Sequence, residues 1–218
     1  MGHWPIPITV FYEHKKPDFE HEKVSYIDLM ADEDLIFFLI DHEWESAANG
    51  IQWDDSGKPF ANYRYQACKF ARKIYALTSP RMEDSDWLIW LDADIETHKD
   101  IDDRFFAETC KKEFVASYLG RADWHHSECG FVAYNINKRG DDFLARMRDI
   151  YNSGELFDLD EWHDSFVFDH VRKKCEESGL KFLNLSAGVP GNHVWPNTIL
   201  GEYMSHNKGP ELKERAYK

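Results

Sequence analysis

Two aspartates one residue apart, Asp92 and Asp94, follow an unbroken apolar run, Trp87-Leu88-Ile89-Trp90-Leu91. Residues two apart on extended chain project to the same side, so this pair can grip one cation through carboxylate oxygens. Mg2+ and Mn2+ favour such hard ligands and bridge readily to a diphosphate. An Asp-x-Asp also arises by chance as the cap of a strand; the apolar run in front of it sets this one apart. Further groups able to bind or move protons recur downstream, at His125-His126, Glu161-Trp162-His163-Asp164 and His206.

Placing such residues requires a folded scaffold, and the composition allows one. A chain of 218 residues with 43% apolar and 15% aromatic content can bury one substantial core, so a single domain over 1–218 is expected. The formal charge of -14 argues against a general nucleic-acid or anionic-membrane binder, because like charges repel. Cys68, Cys110, Cys129 and Cys175 lie far apart with no CxxC pair, which fits reduced thiols. The longest wholly apolar run, Leu35 to Ile40, is far short of the roughly 20 residues a spanning helix needs. A cytoplasmic protein without a membrane span is the expectation.

The elements alternate. Strands are expected at Ile6 to Tyr12, Val24 to Ile27, Trp87 to Leu91, Phe114 to Leu119, Gly130 to Asn135 and Leu180 to Leu185. Helices are expected at Asp32 to Ser46, from the loop Trp53 to Pro59 onward to about Leu77, and near Asp141 to Tyr151 and Asp160 to Glu177. In the second helix Tyr63, Ala67, Phe70, Ile74 and Leu77 recur at three- and four-residue spacing, with Arg64, Lys69, Arg72 and Lys73 as the polar remainder. This order predicts an α/β fold with a mostly parallel sheet flanked by helices. The Trp87 to Leu91 run suits a strand buried on both faces. Its carboxyl end, where open α/β sheets bind ligands, carries the two aspartates.

Trp87 to Ile95 resembles the signature segment of GT-A glycosyltransferases, in which the DxD binds a metal that holds the donor's diphosphate. The resemblance implies a GT-A-like, Rossmann-like domain using Mn2+ or Mg2+, a UDP- or GDP-sugar donor and a carbohydrate or other hydroxyl acceptor. Lys69 is similar to the donor-binding lysine of retaining, glycogenin-like families. Asp164 resembles the carboxylate beside the reacting sugar, a general base in an inverting enzyme or a donor-sugar contact in a retaining one. Tyr203 to Gly209 resembles the C-terminal segment in which a histidine completes the metal site and a lysine grips the diphosphate. His206 and Lys208 fit those roles. Trp124, Glu128, Trp162 and His163 fall where the acceptor side is usually built, the tryptophans to stack on sugar rings and Glu128 to bond hydroxyls.

The resemblance departs at the start, where Ile6 to Tyr12 is similar to the second strand of that fold and Trp4 to the residue ending its first helix. The expectation is that the first βα unit is absent, impairing base recognition and leaving a sheet edge open to self-association. Two other readings stay open. One is a non-catalytic GT-A-like protein. The other is a metal-dependent phosphohydrolase, since His125, His126 and His163-Asp164 imitate an HD-type ligand set, although HD domains are all-helical and this chain has several strands.

Overall fold

A computed structural model describes residues 2–79, 85–122 and 125–207. At the start, β1 (Ile8–Tyr12) and β2 (Val24–Asp28) pair in parallel, with Ile8 opposite Val24. Asp32 caps α1 (Glu33–His42) by accepting from the Leu35 N–H, and Glu33 and Asp34 fill the first turn, where the helix dipole favours acid. The loop expected over Trp53 to Pro59 is the turn of a hairpin, β3 (Ile51–Trp53) antiparallel to β4 (Pro59–Ala61). The Asp54 carboxylate accepts from the Ser56 and Lys58 N–H groups inside that turn. This hairpin delays α2 to Ala67–Thr78. The expected inward face holds at Ala67, Ile74 and Leu77, whereas Tyr63 precedes the helix and is exposed.

Beyond these come β5 (Trp87–Leu91), β6 (Ile95–Thr97), α3 (Asp103–Thr109), β7 (Ala116–Leu119) and β8 (Glu128–Asn135). The chain ends with α4 (Gly140–Asn152), α5 (Asp164–Glu177), β9 (Phe182–Asn184) and β10 (Met204–His206). The protein is therefore α/β. No helix among the described residues is long and apolar enough to cross a membrane.

Two compact units can be distinguished. One, the DxD-bearing unit, comprises Met1–Pro5, Asp84–Asp141 and Arg172–Lys218; the helix-rich unit comprises Ile6–Glu83 and Asp142–Val171. In the DxD-bearing unit the sheet order is β5-β8-β7-β9, with β8 antiparallel to both β5 and β7, and β9 parallel to β7. The sheet is mixed where a mostly parallel one was expected; among the described residues parallel pairing is confined to β7–β9 and β1–β2. All residues of β7 and β8 are buried, but all five of β5 are half-buried. The expectation of burial on both faces is thereby corrected for β5, because an apolar run signals apolar surroundings and not a strand's position in the sheet order. Trp4 packs into this unit, its indole N–H donating to Thr97 Oγ1 at 3.0 Å and its ring meeting Phe105 edge-on.

The helix-rich unit is organised around buried Phe38, Tyr75 and Tyr151, whose rings pack together. Arg148 closes it by donating to Asp32 and Asp34 at 2.8 Å and lying over the Tyr75 ring. The Tyr75 hydroxyl donates to Asn152 at 2.6 Å, so the buried phenol is satisfied.

Candidate metal centre

At the end of β5 the ladder continues one residue further, with the Asp92 N–H donating to Gly130 O at 2.9 Å. The Ile95 N–H returns to Asp92 O at 3.1 Å, so Asp92 to Ile95 forms a turn into β6. The turn, rather than the pleat of a strand, is what aims both carboxylates. The Trp90 indole N–H holds Asp92 Oδ1 at 2.7 Å.

His206 reaches this turn through strand pairing. β10 runs antiparallel to β6, with His206 opposite Ile95, and the Asn207 N–H donates to Asp94 O at 3.0 Å. His206 Nε2 consequently lies 3.0 Å from Asp94 Oδ1, although 112 residues separate them in the chain. Ligand atoms of Asp92, Asp94 and His206 all lie within 4.8 Å of one another. Two atoms each about 2.1 Å from one ion stand about 3 Å apart as octahedral neighbours and about 4.2 Å apart across it. The Asp94–His206 separation of 3.0 Å is that of octahedral neighbours, and the O,O,N donor set of the trio suits Mn2+ or Mg2+.

Behind the trio lies a second layer. The His206 side chain is only 6% exposed and meets the Trp195 ring edge-on at 5.1 Å. Trp195 is fixed in turn by donating its indole N–H to Met204 O at 3.0 Å. On its other flank the His206 ring lies against β8 at Gly130, where a Cβ would come within 2.5 Å of Cε1 and 2.8 Å of Nδ1. His206 Nδ1 is 3.5 Å from Glu128 Oε1. Glu128 is buried, pairs with Arg121 and accepts from the Gly130 N–H at 3.3 Å.

The helix-rich unit carries the other sequence-derived residues. Asp164, the first residue of α5, is buried and ion-paired with Lys73 at 2.7 Å. Burial alone would raise its pKa, but the charge and hydrogen bond of Lys73, aided by His163, hold the carboxyl below the usual range. The residue meeting Asp164 is thus Lys73, one turn beyond Lys69, whose ammonium instead lies over the Phe70 ring. His163 is buried, with Nε2 2.8 Å from Glu161, which also meets Arg64 at 3.2 Å. Trp162 packs edge-on against Tyr65 and Phe157 and donates its indole N–H to Leu159 O.

The sequence-derived residues thus divide into two groups. Asp92, Asp94, His206 and Glu128 come together in the DxD-bearing unit, and Asp164, His163 and Trp162 follow one another at the start of α5. Lys208 and Trp124 lie outside the described residues. His125 and His126 belong to the DxD-bearing unit and His163 and Asp164 to the helix-rich one. Sequence reasoning missed Arg121, Gly130, Trp195 and the pairing role of Lys73. Only Gly130 left a signal, being a glycine inside an apolar strand, which marks close approach by another group.

Compared with known proteins, the chain matches no family model, and no curated protein matches it.

Proposed function

We propose that this protein is a divalent-cation-dependent glycosyltransferase that moves a sugar from a UDP- or GDP-sugar to an acceptor hydroxyl, on a GT-A-like domain. The observation that carries this reading is the convergence of Asp92, Asp94 and His206 at the carboxyl end of β5, where α/β sheets present their ligand sites. These three residues would hold Mn2+ or Mg2+, which when bound supplies positive charge for a diphosphate leaving group. The order of the motif, an apolar strand, then DxD, then a distant histidine, is the one the resemblance to GT-A enzymes implies.

Within the helix-rich unit the Asp164 carboxylate is kept ionised by Lys73 at 2.7 Å, and its lowered proton affinity makes it a poor general base.

The test is calorimetric titration of Mn2+, alone and with UDP or GDP, into the protein and into Asp92→Ala/Asp94→Ala. The expected result is nucleotide binding that requires both the cation and the two aspartates. Nucleotide binding indifferent to both would overturn the reading. Cation-dependent nucleotide binding without turnover of any nucleotide-sugar would point to a non-catalytic binder of the same fold.

A further inference from the structure

We propose that the outer edge of β5 is a docking edge, which takes an extended apolar segment of another protein, with basic residues at its ends, as a further strand of the sheet. β5 stands at one end of the order β5-β8-β7-β9, and among the described residues β8 is its only strand partner. The register fixes which way each residue bonds. The Asp92 N–H donates to Gly130 O and the Ile136 N–H to Asp86 O, so Asp86, Leu88, Trp90 and Asp92 aim their backbone groups at β8. Trp87, Ile89 and Leu91 alternate with them and aim theirs outward. Trp87 O accepts a long bond from Ser85 Oγ at 3.4 Å, and among the described residues no hydrogen bond reaches the outward groups of Ile89 or Leu91.

Such an edge is ordinarily blunted by a short strand, a charge, a proline or a bulge. The opposite edge of this sheet follows that rule, since β9 has three residues and is entered from Lys181. β5 has five residues, all apolar and all half-buried, and the irregularity of the sheet lies between β7 and β8 instead. The edge itself selects its occupant. Backbone groups pointing outward at every second residue need an extended chain in register, and Trp87, Ile89 and Leu91 on one face with Leu88 and Trp90 on the other favour apolar side chains on both.

Charge then decides whose chain this is. Asp86 and Asp92 bracket the strand. Pairing β5 antiparallel with β5 of a second copy, with Ile89 on the two-fold axis, would set Asp86 against Asp92 at both ends, and like charges directly opposite are destabilising. The formal charge of -14 adds to the repulsion between copies. A segment with lysine or arginine at its ends meets the same aspartates favourably in either direction.

The test uses the full chain, 15N-labelled and in cation-free buffer, with a valine-rich peptide flanked by lysines at both ends as the probe. Without peptide, the Ile89 and Leu91 amides should exchange with deuterium fast and those of Leu88 and Trp90 slowly. Saturating peptide should slow exchange at Ile89 and Leu91 at least about tenfold and leave Leu88 and Trp90 little changed. The same peptide methylated on every backbone nitrogen should give no protection, and one with glutamates in place of the lysines should bind more weakly. Ile89→Pro removes one outward N–H and no bond to β8, so it should weaken the peptide while circular dichroism stays native; should that variant fail to fold, the methylated peptide still decides. Equal binding of the methylated peptide, no protection by the parent peptide, or Ile89 and Leu91 amides already as protected as Trp90 would each overturn the proposal. Protection that instead grows with protein concentration, alongside a dimer in sedimentation, would overturn it in favour of a second copy.

Discussion

Asp164 is met at 2.7 Å by the ammonium of Lys73, whereas Asp94 is met at 3.0 Å by the imidazole of His206 and its neighbour Asp92 by the indole of Trp90. The first arrangement supplies a full opposite charge. In a buried setting that pair is fixed, because separating it would strand an ion away from water. The second supplies dipoles and a ring that can exchange a proton for a metal ion. Asp164 is thus held in place, whereas in the proposed function Asp92 and Asp94 are the pair that receives the cation.

The largest test of this contrast is Lys73→Met, which leaves Asp164 buried without its lysine. We expect a loss of about 3–5 kcal/mol in urea unfolding, with most of it recovered in Lys73→Met/Asp164→Leu, where no charge remains to be compensated. The pH dependence should follow. The Asp164 carboxyl is depressed below its ordinary 3.8, so on acidification the unfolded chain takes up a proton before the folded one. The stability from the pair is therefore complete above about pH 4 and is lost as pH falls through the folded-state pKa. Lys73→Met should lack that acid limb in a stability-versus-pH series.

Gly130→Ala comes next. Its methyl would meet the His206 ring at 2.5 Å, and overpacking of this kind costs about 1–3 kcal/mol. We expect a lowered Tm and, because the ring is displaced, weakened Mn2+ binding in the same sample. Trp90→Phe removes the indole donor to Asp92 and should cost about 1 kcal/mol of stability by urea unfolding. The smallest stability effect is expected from Asp94→Asn, within about 0.5 kcal/mol in cation-free buffer, although calorimetry should show Mn2+ binding lost. If Asp94→Asn unfolded as readily as Lys73→Met, the distinction between a fixed and a receptive carboxylate would be wrong.

Much of the local structure was legible. The Trp87 to Leu91 strand matches residue for residue, α4 lies within one residue of the expected bounds at each end, and Ala67, Ile74 and Leu77 of α2 face inward as expected. The helix start at Asp32 announces itself by a capping carboxylate, whereas α3, capped by Asp102, was not among the expected helices. The hairpin of β3 and β4 was not legible, since three-residue strands are too short for alternation to register. Nor was the half-burial of β5, which depends on where the strand lies in the sheet order.

For the candidate site, the sequence by itself supplied the candidate residues: two aspartates at the end of an apolar strand, of a type that suits a hard cation, to which the resemblance to GT-A enzymes added His206. Only the tertiary structure decided the rest. The β6–β10 register carries His206 across 112 residues to Asp94, Gly130 makes room for its ring, Glu128 stands behind it, and Lys73 meets Asp164. Each of these is a contact between segments distant in the chain, fixed by strand pairing and helix packing and invisible to any pattern read along it.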